Sequence, residues 1–359
     1  MLFAKCGALV KSFMKSFKAA VIVKSKKPLK IMNINFKAPE TNQVMVKVLY
    51  SAFCSSQYGE IIGIKGKDKF LPHCLGHEAC GIVIKVGPGV KKVKDNDLVV
   101  LHWMKSNGSD SGGIKYESED YPKSINAGQV TTFSEYSIVS ENRLTKIPKN
   151  KFNVKFLPLM GCSIPVAIST LEKILNIKVG KNILIIGGGA LGIPMIHFSK
   201  KLLLSNIEVI ENRKMALKKS KIFGATKTHE NVKDQVFISK LKNNFYDYIV
   251  DTTGSPKILS RVLQYPSKGK IVVVGVPKYN QKLSINTLKL NYGLKLLGSY
   301  GGDFSPDDDL LRYLNFLIKT KFNFKEYVDG IYPLKKVNKL FNDYKNQKIF
   351  GKALIKFSN

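Results

Sequence analysis

Residues 182–192, NILIIGGGALG, join a strand-length apolar run to a glycine-rich turn, and a helical pattern follows. This junction restricts the fold strongly, because a strand, a tight turn and a closely packed helix must succeed one another. From about residue 165 the same rhythm continues. Apolar runs IEVIE, YDYIVDTTG, GKIVVVG and LKLLGSYGG alternate with the amphipathic segments NRKMALKKSKIFG and SPKILSRVLQYP. Such βαβ alternation predicts a doubly wound parallel sheet. A helical pattern over Ala167 to Leu175 precedes it.

Within the turn, Gly187 permits the sharp reversal, Gly189 the close approach of a pyrophosphate, and Gly192 the contact between helix and sheet, with Ala190 and Leu191 between them. The helix N-terminus then faces the negative charge. Glu211 ends the next strand about 20 residues on, where a carboxylate accepts hydrogen bonds from ribose hydroxyls and repels a 2′-phosphate. NAD is therefore expected over NADP, with Arg213 and Lys214 as the nearby groups able to accommodate the extra phosphate.

The first half reads differently. Residues 17–50 and 78–101 alternate apolar and polar positions around a Pro88-Gly89 turn, as half-buried strands do. An all-β, barrel-like unit is expected. Residues 104–129 are dominated by Ser, Gly, Asn and Asp and are expected to form a long surface loop or lobe. The tail carries two amphipathic helices, one with Leu310, Leu311, Leu314 and Leu317, the other with Val337, Leu340, Phe341 and Tyr344, and then a final strand, GKALIKF.

Chemistry in this half centres on Cys54, His77 and Cys162. Two cysteines and one histidine are one of the sets that bind a catalytic zinc and leave a position open. Alone, each cysteine reads equally as a small buried hydrophobe. Cys74 and Cys80 flank His77 and are read as structural; His73 and His102 are given no ligand role.

The segments Cys54-Ser55-Ser56, Leu75-Gly76-His77-Glu78 with the following GIVIKVGPGVKKVKDNDLVV, and Gly161-Cys162 ahead of the glycine turn carry a resemblance. From about Met14 to Phe357 the chain resembles the zinc-dependent alcohol dehydrogenases of the medium-chain dehydrogenase/reductase superfamily. The resemblance implies an α/β protein with an N-terminal GroES-like, β-barrel-type catalytic domain at 1–163 and 301–359 and a Rossmann domain at 164–300. It implies hydride transfer between an alcohol or polyol, or its carbonyl, and NAD, with Cys54, His77 and Cys162 holding the catalytic zinc. By the same resemblance Glu78 stands behind the metal, and Ser56 binds the substrate hydroxyl and starts the proton relay. Trp103 and Phe133 line the substrate pocket, and Lys352 reaches the cofactor phosphates. A homodimer or homotetramer is expected.

The chain also departs from the family. Residues 104–129 contain no cysteine, so the second, structural zinc of many relatives is not expected. Gly59 stands where many relatives have a relay histidine. Gln57 stands where an aspartate often supports the ligand histidine, and a neutral partner there leaves the imidazole less basic and the metal more electrophilic.

The charge is +32, from 58 Lys+Arg against 26 Asp+Glu. Only Arg143, Arg213, Arg261 and Arg312 are arginine, and the lysines are scattered. Base readers and phosphate clamps favour arginine, so a coding bias toward AT-rich codons explains the charge better than a nucleic-acid partner. The field still attracts anionic substrates, phosphorylated polyols among them. No apolar run reaches the ~18 residues of a membrane span. Five cysteines without regular spacing suggest a reducing compartment, and a cytoplasmic protein is expected. The first residues lack the pattern of a secretory signal; residues 1–13 read as an extension before a strand that starts near Met14. Two other readings are a zinc-free reductase of the quinone reductase type and a polyanion-binding protein on a dehydrogenase fold.

Overall fold

The structure, a computed structural model, describes residues 15–231 and 235–357. The extension 1–13 and the expected strand start at Met14 lie outside the described residues. The chain forms two compact units. One is Met1–Cys162 with Ser305–Leu311 and Gly330–Asn359; the other is Ser163–Phe304 with Arg312–Asp329.

In the first unit the strands are β1 (Ser16–Ile22), β2 (Lys30–Asn35), β3 (Gln43–Phe53), β4 (His73–Cys74), β5 (Ala79–Val86), β6 (Leu98–Leu101), β7 (Ile114–Ser118), β8 (Tyr121–Gly128), β9 (Tyr136–Ser140) and β10 (Leu144–Lys146). One sheet has the order β2-β1-β4-β8-β7. The period-2 pattern of β1 serves two cores. Phe17, Ala19 and Val21 join Met32, Ile34, Tyr116 and Ile125, whereas Ala20 and Ile22 join Val46, Val48, Leu75 and Phe133.

The expected surface loop at 104–129 is corrected here: it contains the antiparallel pair β7–β8. Ile114 and Tyr116 on one strand and Ile125 and Ala127 on the other are buried, while Lys115 and Glu117 face out. Alternation was present in the sequence, diluted by polar turns. The base of the lobe is fastened by Glu141. Its carboxylate accepts the N–H groups of Lys91 (2.8 Å), Lys92 (2.9 Å) and Ser109 (2.9 Å).

The second unit contains β11 (Asn182–Ile186), β12 (Asn206–Ile210), β13 (Lys227–His229), β14 (Tyr248–Asp251), β15 (Gly269–Val273) and β16 (Leu294–Gly298). They form a parallel sheet in the order β13-β12-β11-β14-β15-β16. Ile183 to Ile186 are buried, as a strand covered on both faces requires. The short β13 and the helix Gln235–Lys242 were not anticipated from the sequence. The helical pattern expected from Ala167 begins earlier, at Ser163, and ends in a π-helical turn, Thr170–Ile174.

After this unit come β17 (Val328–Pro333) and β18 (Lys352–Lys356). They complete a seven-stranded sheet ordered β10-β6-β5-β3-β18-β17, with β9 also on β3. The whole tail from 301 was expected with the catalytic domain, but Arg312–Asp329 belongs to the second unit. His197 Nε2 meets Thr320 Oγ1 at 2.9 Å, and the buried Lys219 pairs with Asp329 at 2.6 Å. Polar anchors of this kind are not visible in hydrophobic periodicity.

Candidate metal and dinucleotide sites

β3 ends at Phe53, and Cys54 leads into the helix Ser55–Ile61. His77 and Glu78 occupy the loop between β4 and β5. That loop can form only with glycine at position 76. Its φ is +93°, and a Cβ there would stand 2.6 Å from Phe133 Cδ1 and 2.8 Å from Phe133 N. Gly161 allows the third approach, since a Cβ on it would lie 2.8 Å from the Glu78 Cα. Cys162 follows immediately.

The ligand atoms of Cys54, His77, Glu78 and Cys162 all lie within 4.8 Å of one another. Three donors spread over more than a hundred residues thus converge, as the sequence order suggested. The Cys54 thiol is held well below its ordinary value, first by its hydrogen bond to Cys162, against the opposing effect of burial, and then by His77. The Cys162 thiol is driven up by the same hydrogen bond and by burial. For His77, burial opposes the charged form, but the Cys54 hydrogen bond and charge outweigh it and raise the imidazole. A proton-sharing set of two sulfurs and an imidazole suits a divalent cation that displaces those protons.

Glu78 is fully buried. Its Oε1 accepts from Lys352 Nζ, itself buried on β18, while its Oε2 has no hydrogen-bond partner among the described residues. A buried carboxylate oxygen without a partner normally points to an unseen cation or water. Burial pushes the Glu78 carboxyl up, opposed by the Lys352 charge.

Two expectations are corrected. Lys352, expected at the cofactor phosphates, is committed to Glu78 beside the metal cluster, because a buried carboxylate needs a cation. Phe133, expected in the substrate pocket, is wholly buried in the core, 6.4 Å from the Phe341 ring centroid. Trp103 is half-buried, and its carbonyl accepts from the Arg143 guanidinium. Ser56 is half-buried on the helix after Cys54. Gly59 packs so closely on that helix's neighbour that a Cβ would lie 2.8 Å from Ile64 Cγ2, which accounts for a small residue there.

The other cysteines and histidines behave as structural groups. Burial raises the Cys74 thiol to about 12 and also pushes up that of Cys80, which donates to the Val154 carbonyl. His102 is buried between the Met104 carbonyl (2.8 Å) and Thr145 Oγ1 (3.1 Å). His73 pairs with Asp68 at 2.9 Å.

In the second unit β11 runs into Gly187, whose φ is +102° and whose absent Cβ leaves room for Thr252 Oγ1. Gly192 opens the helix Gly192–Lys201, and a Cβ there would overlap the Gly187 carbonyl and lie 3.1 Å from its carbon. The turn therefore has the form that accepts a pyrophosphate at a helix N-terminus. Tyr327 Oη donates to the Ala190 carbonyl at 2.5 Å and braces it. Glu211 follows β12, and its Oε2 accepts the Gly188 N–H at 3.2 Å. Arg213 holds the same carboxylate through Nε (3.1 Å) and Nη2 (2.7 Å). Burial raises the Glu211 carboxyl, but Arg213 prevails and keeps it below the usual range.

Residues 40–149 match the alcohol dehydrogenase GroES-like domain family. "Alcohol dehydrogenase-like 3" of Arabidopsis thaliana is 26% identical, over 90% of this chain and 92% of its own. "Probable S-(hydroxymethyl)glutathione dehydrogenase 1" of Schizosaccharomyces pombe is 26% identical, over 90% and 93%. Among solved structures, benzyl alcohol dehydrogenase from Acinetobacter calcoaceticus superposes with a TM-score of 0.84 at 24% identity, covering 96% of this chain and all of that one. Residues 40–149 thus match the GroES-like domain of alcohol dehydrogenases, and over about nine-tenths of its length the chain is similar to alcohol and S-(hydroxymethyl)glutathione dehydrogenases, with a donor set and glycine turn of the kind that the resemblance to zinc-dependent medium-chain enzymes implies.

Proposed function

We propose that Cys54, His77 and Cys162 hold one zinc ion, and that the glycine turn with Glu211 takes NAD in preference to NADP. The protein is an oxidoreductase acting on CH–OH donors or, in reverse, on the matching carbonyls. The observation that carries the zinc reading is the convergence of three ligand atoms and the Glu78 carboxylate within 4.8 Å.

Held by Cys54, His77 and Cys162, zinc would supply Lewis acidity that makes an alcohol oxygen more acidic, and NAD at the glycine turn would supply the hydride acceptor. Two thiolates and a neutral imidazole balance a divalent charge, and the Glu78–Lys352 pair adds none. Ser56, two residues after Cys54, would accept the substrate hydroxyl's proton while passing its own on toward the cofactor ribose and water. Trp103 borders the substrate. The ionised Glu211 supports a preference for free ribose hydroxyls, and Arg213 is held on it rather than left to a 2′-phosphate. The cysteine-free lobe supports a single zinc per chain. The basic surface supports substrates that include phosphorylated polyols, and we place the active form as a homodimer or homotetramer.

Metal analysis of purified protein, with a coupled screen of alcohols, polyols, polyol phosphates and aldehydes against NAD and NADP, tests this reading. One zinc per chain and NADH formation are expected, both lost in Cys54→Ser. A folded, zinc-free protein that turns over with NADPH alone would favour a reductase of the quinone type.

A further inference from the structure

The helix Ser55–Ile61 carries more of the metal centre than Ser56. Gln57 is buried, and both ends of its amide are committed. Its Oε1 accepts the N–H of Gly76, the residue before His77. Its Nε2 lies 3.4 Å from each carboxylate oxygen of Glu60. Gln57 and Glu60 are three residues apart on the helix and share a face. A carboxylate only accepts hydrogen bonds, so it selects the amide orientation that turns NH₂ toward itself and the carbonyl toward Gly76. The imidazole is thus supported through backbone and amide rather than by Gln57 directly, which corrects the expectation of a neutral partner on His77.

The charge missing at position 57 reappears one helical turn later. Burial pushes the Glu60 carboxyl up, and the nearby His77, His73 and Lys65 pull it down, while Cys54 adds to the upward push. We propose that Glu60 is a positioning residue for the metal centre: through the Gln57 amide it fixes the Gly76–His77 backbone and so the ligand imidazole. This rests on the reading of Cys54, His77 and Cys162 as zinc ligands. Partners of this kind typically change metal affinity by roughly 10–100-fold.

The test is zinc affinity, measured by competition with a chromophoric chelator, and the absorption spectrum of the cobalt-substituted protein. Glu60→Gln keeps the shape, and circular dichroism of the metal-free variant checks its fold. It should bind zinc about tenfold more weakly and shift the cobalt bands. The exposed Glu119→Gln, which also removes one carboxylate, should match the parent. In a Gln57→Leu background, Glu60→Gln should have less than about a twofold further effect, because the path is already cut. Parent-like affinity and spectrum in Glu60→Gln, or independent effects of the two substitutions, would overturn the assignment. A parent that binds no zinc would instead overturn the metal centre itself, so the two failures are distinct.

Discussion

Lys352→Met isolates the ion pair behind the metal cluster. Lys352 and Glu78 are each at most 1% exposed, and Nζ is the partner of Oε1. Because Oε2 has no partner among the described residues, removing the ammonium leaves a buried carboxylate with neither oxygen compensated. Removing one partner of such a pair costs about 3–5 kcal/mol. For a unit of this size each kcal/mol moves the midpoint by roughly 2–4 °C, so a fall of about 6–20 °C is expected. The assay is thermal and urea unfolding of chelator-stripped protein, followed by circular dichroism, so that no metal stands in for the lysine. The double variant Glu78→Gln/Lys352→Met carries no buried charge there and should recover most of the loss. A single variant within about 1 kcal/mol of the parent, or a double variant less stable than the single, would refute the assignment of an unscreened buried pair.

Three further outcomes follow from the same structure. Gly76→Ala combines a left-handed backbone position with contacts of 2.6 and 2.8 Å to Phe133, so it should cost roughly 2–5 kcal/mol and lower zinc content in metal analysis. Burial depresses His102 from an ordinary 6.5 to about 4, so its contribution is intact above pH 6.5 and is lost as pH falls toward 4. That amounts to about 3 kcal/mol, and His102→Gln should flatten this part of the stability–pH curve in urea titrations. Glu141→Ala removes the acceptor of three N–H groups and should destabilise the lobe by at least about 2 kcal/mol. Hydrogen exchange at Ser109 should then accelerate, whereas zinc chelation in the parent should leave it unchanged.

Local signals carried the Rossmann unit. β11, the glycine turn and Glu211 are contiguous or nearly so, and the close contact at Gly192 is with the backbone of Gly187, five residues before it. The convergence of Cys54, His77 and Cys162 was suggested by residue type and order, although nothing local says that Gly161 must slide against Glu78. What remained hidden is tertiary. Gln57 gives no sign of choosing Gly76, nor Lys352 of choosing Glu78, because these partners meet only when distant segments are brought together. The β7–β8 pair was hidden for another reason: short alternating runs such as IKYES are swamped by flanking Ser, Gly and Asn.

The close contacts at Gly76, Gly161 and Gly192 also bear on how this chain can change over generations. Every glycine codon begins with two guanines, so a genome drifting toward A and T erodes glycine and enriches lysine, asparagine and isoleucine. At these positions a side chain would meet backbone: Phe133 N, Glu78 Cα and the Gly187 carbonyl carbon respectively. Exposed positions meet no such contact and tolerate lysine, in keeping with the charge of +32. The backbone crossings that build the two sites form a set of positions that mutation pressure can reach and selection must restore.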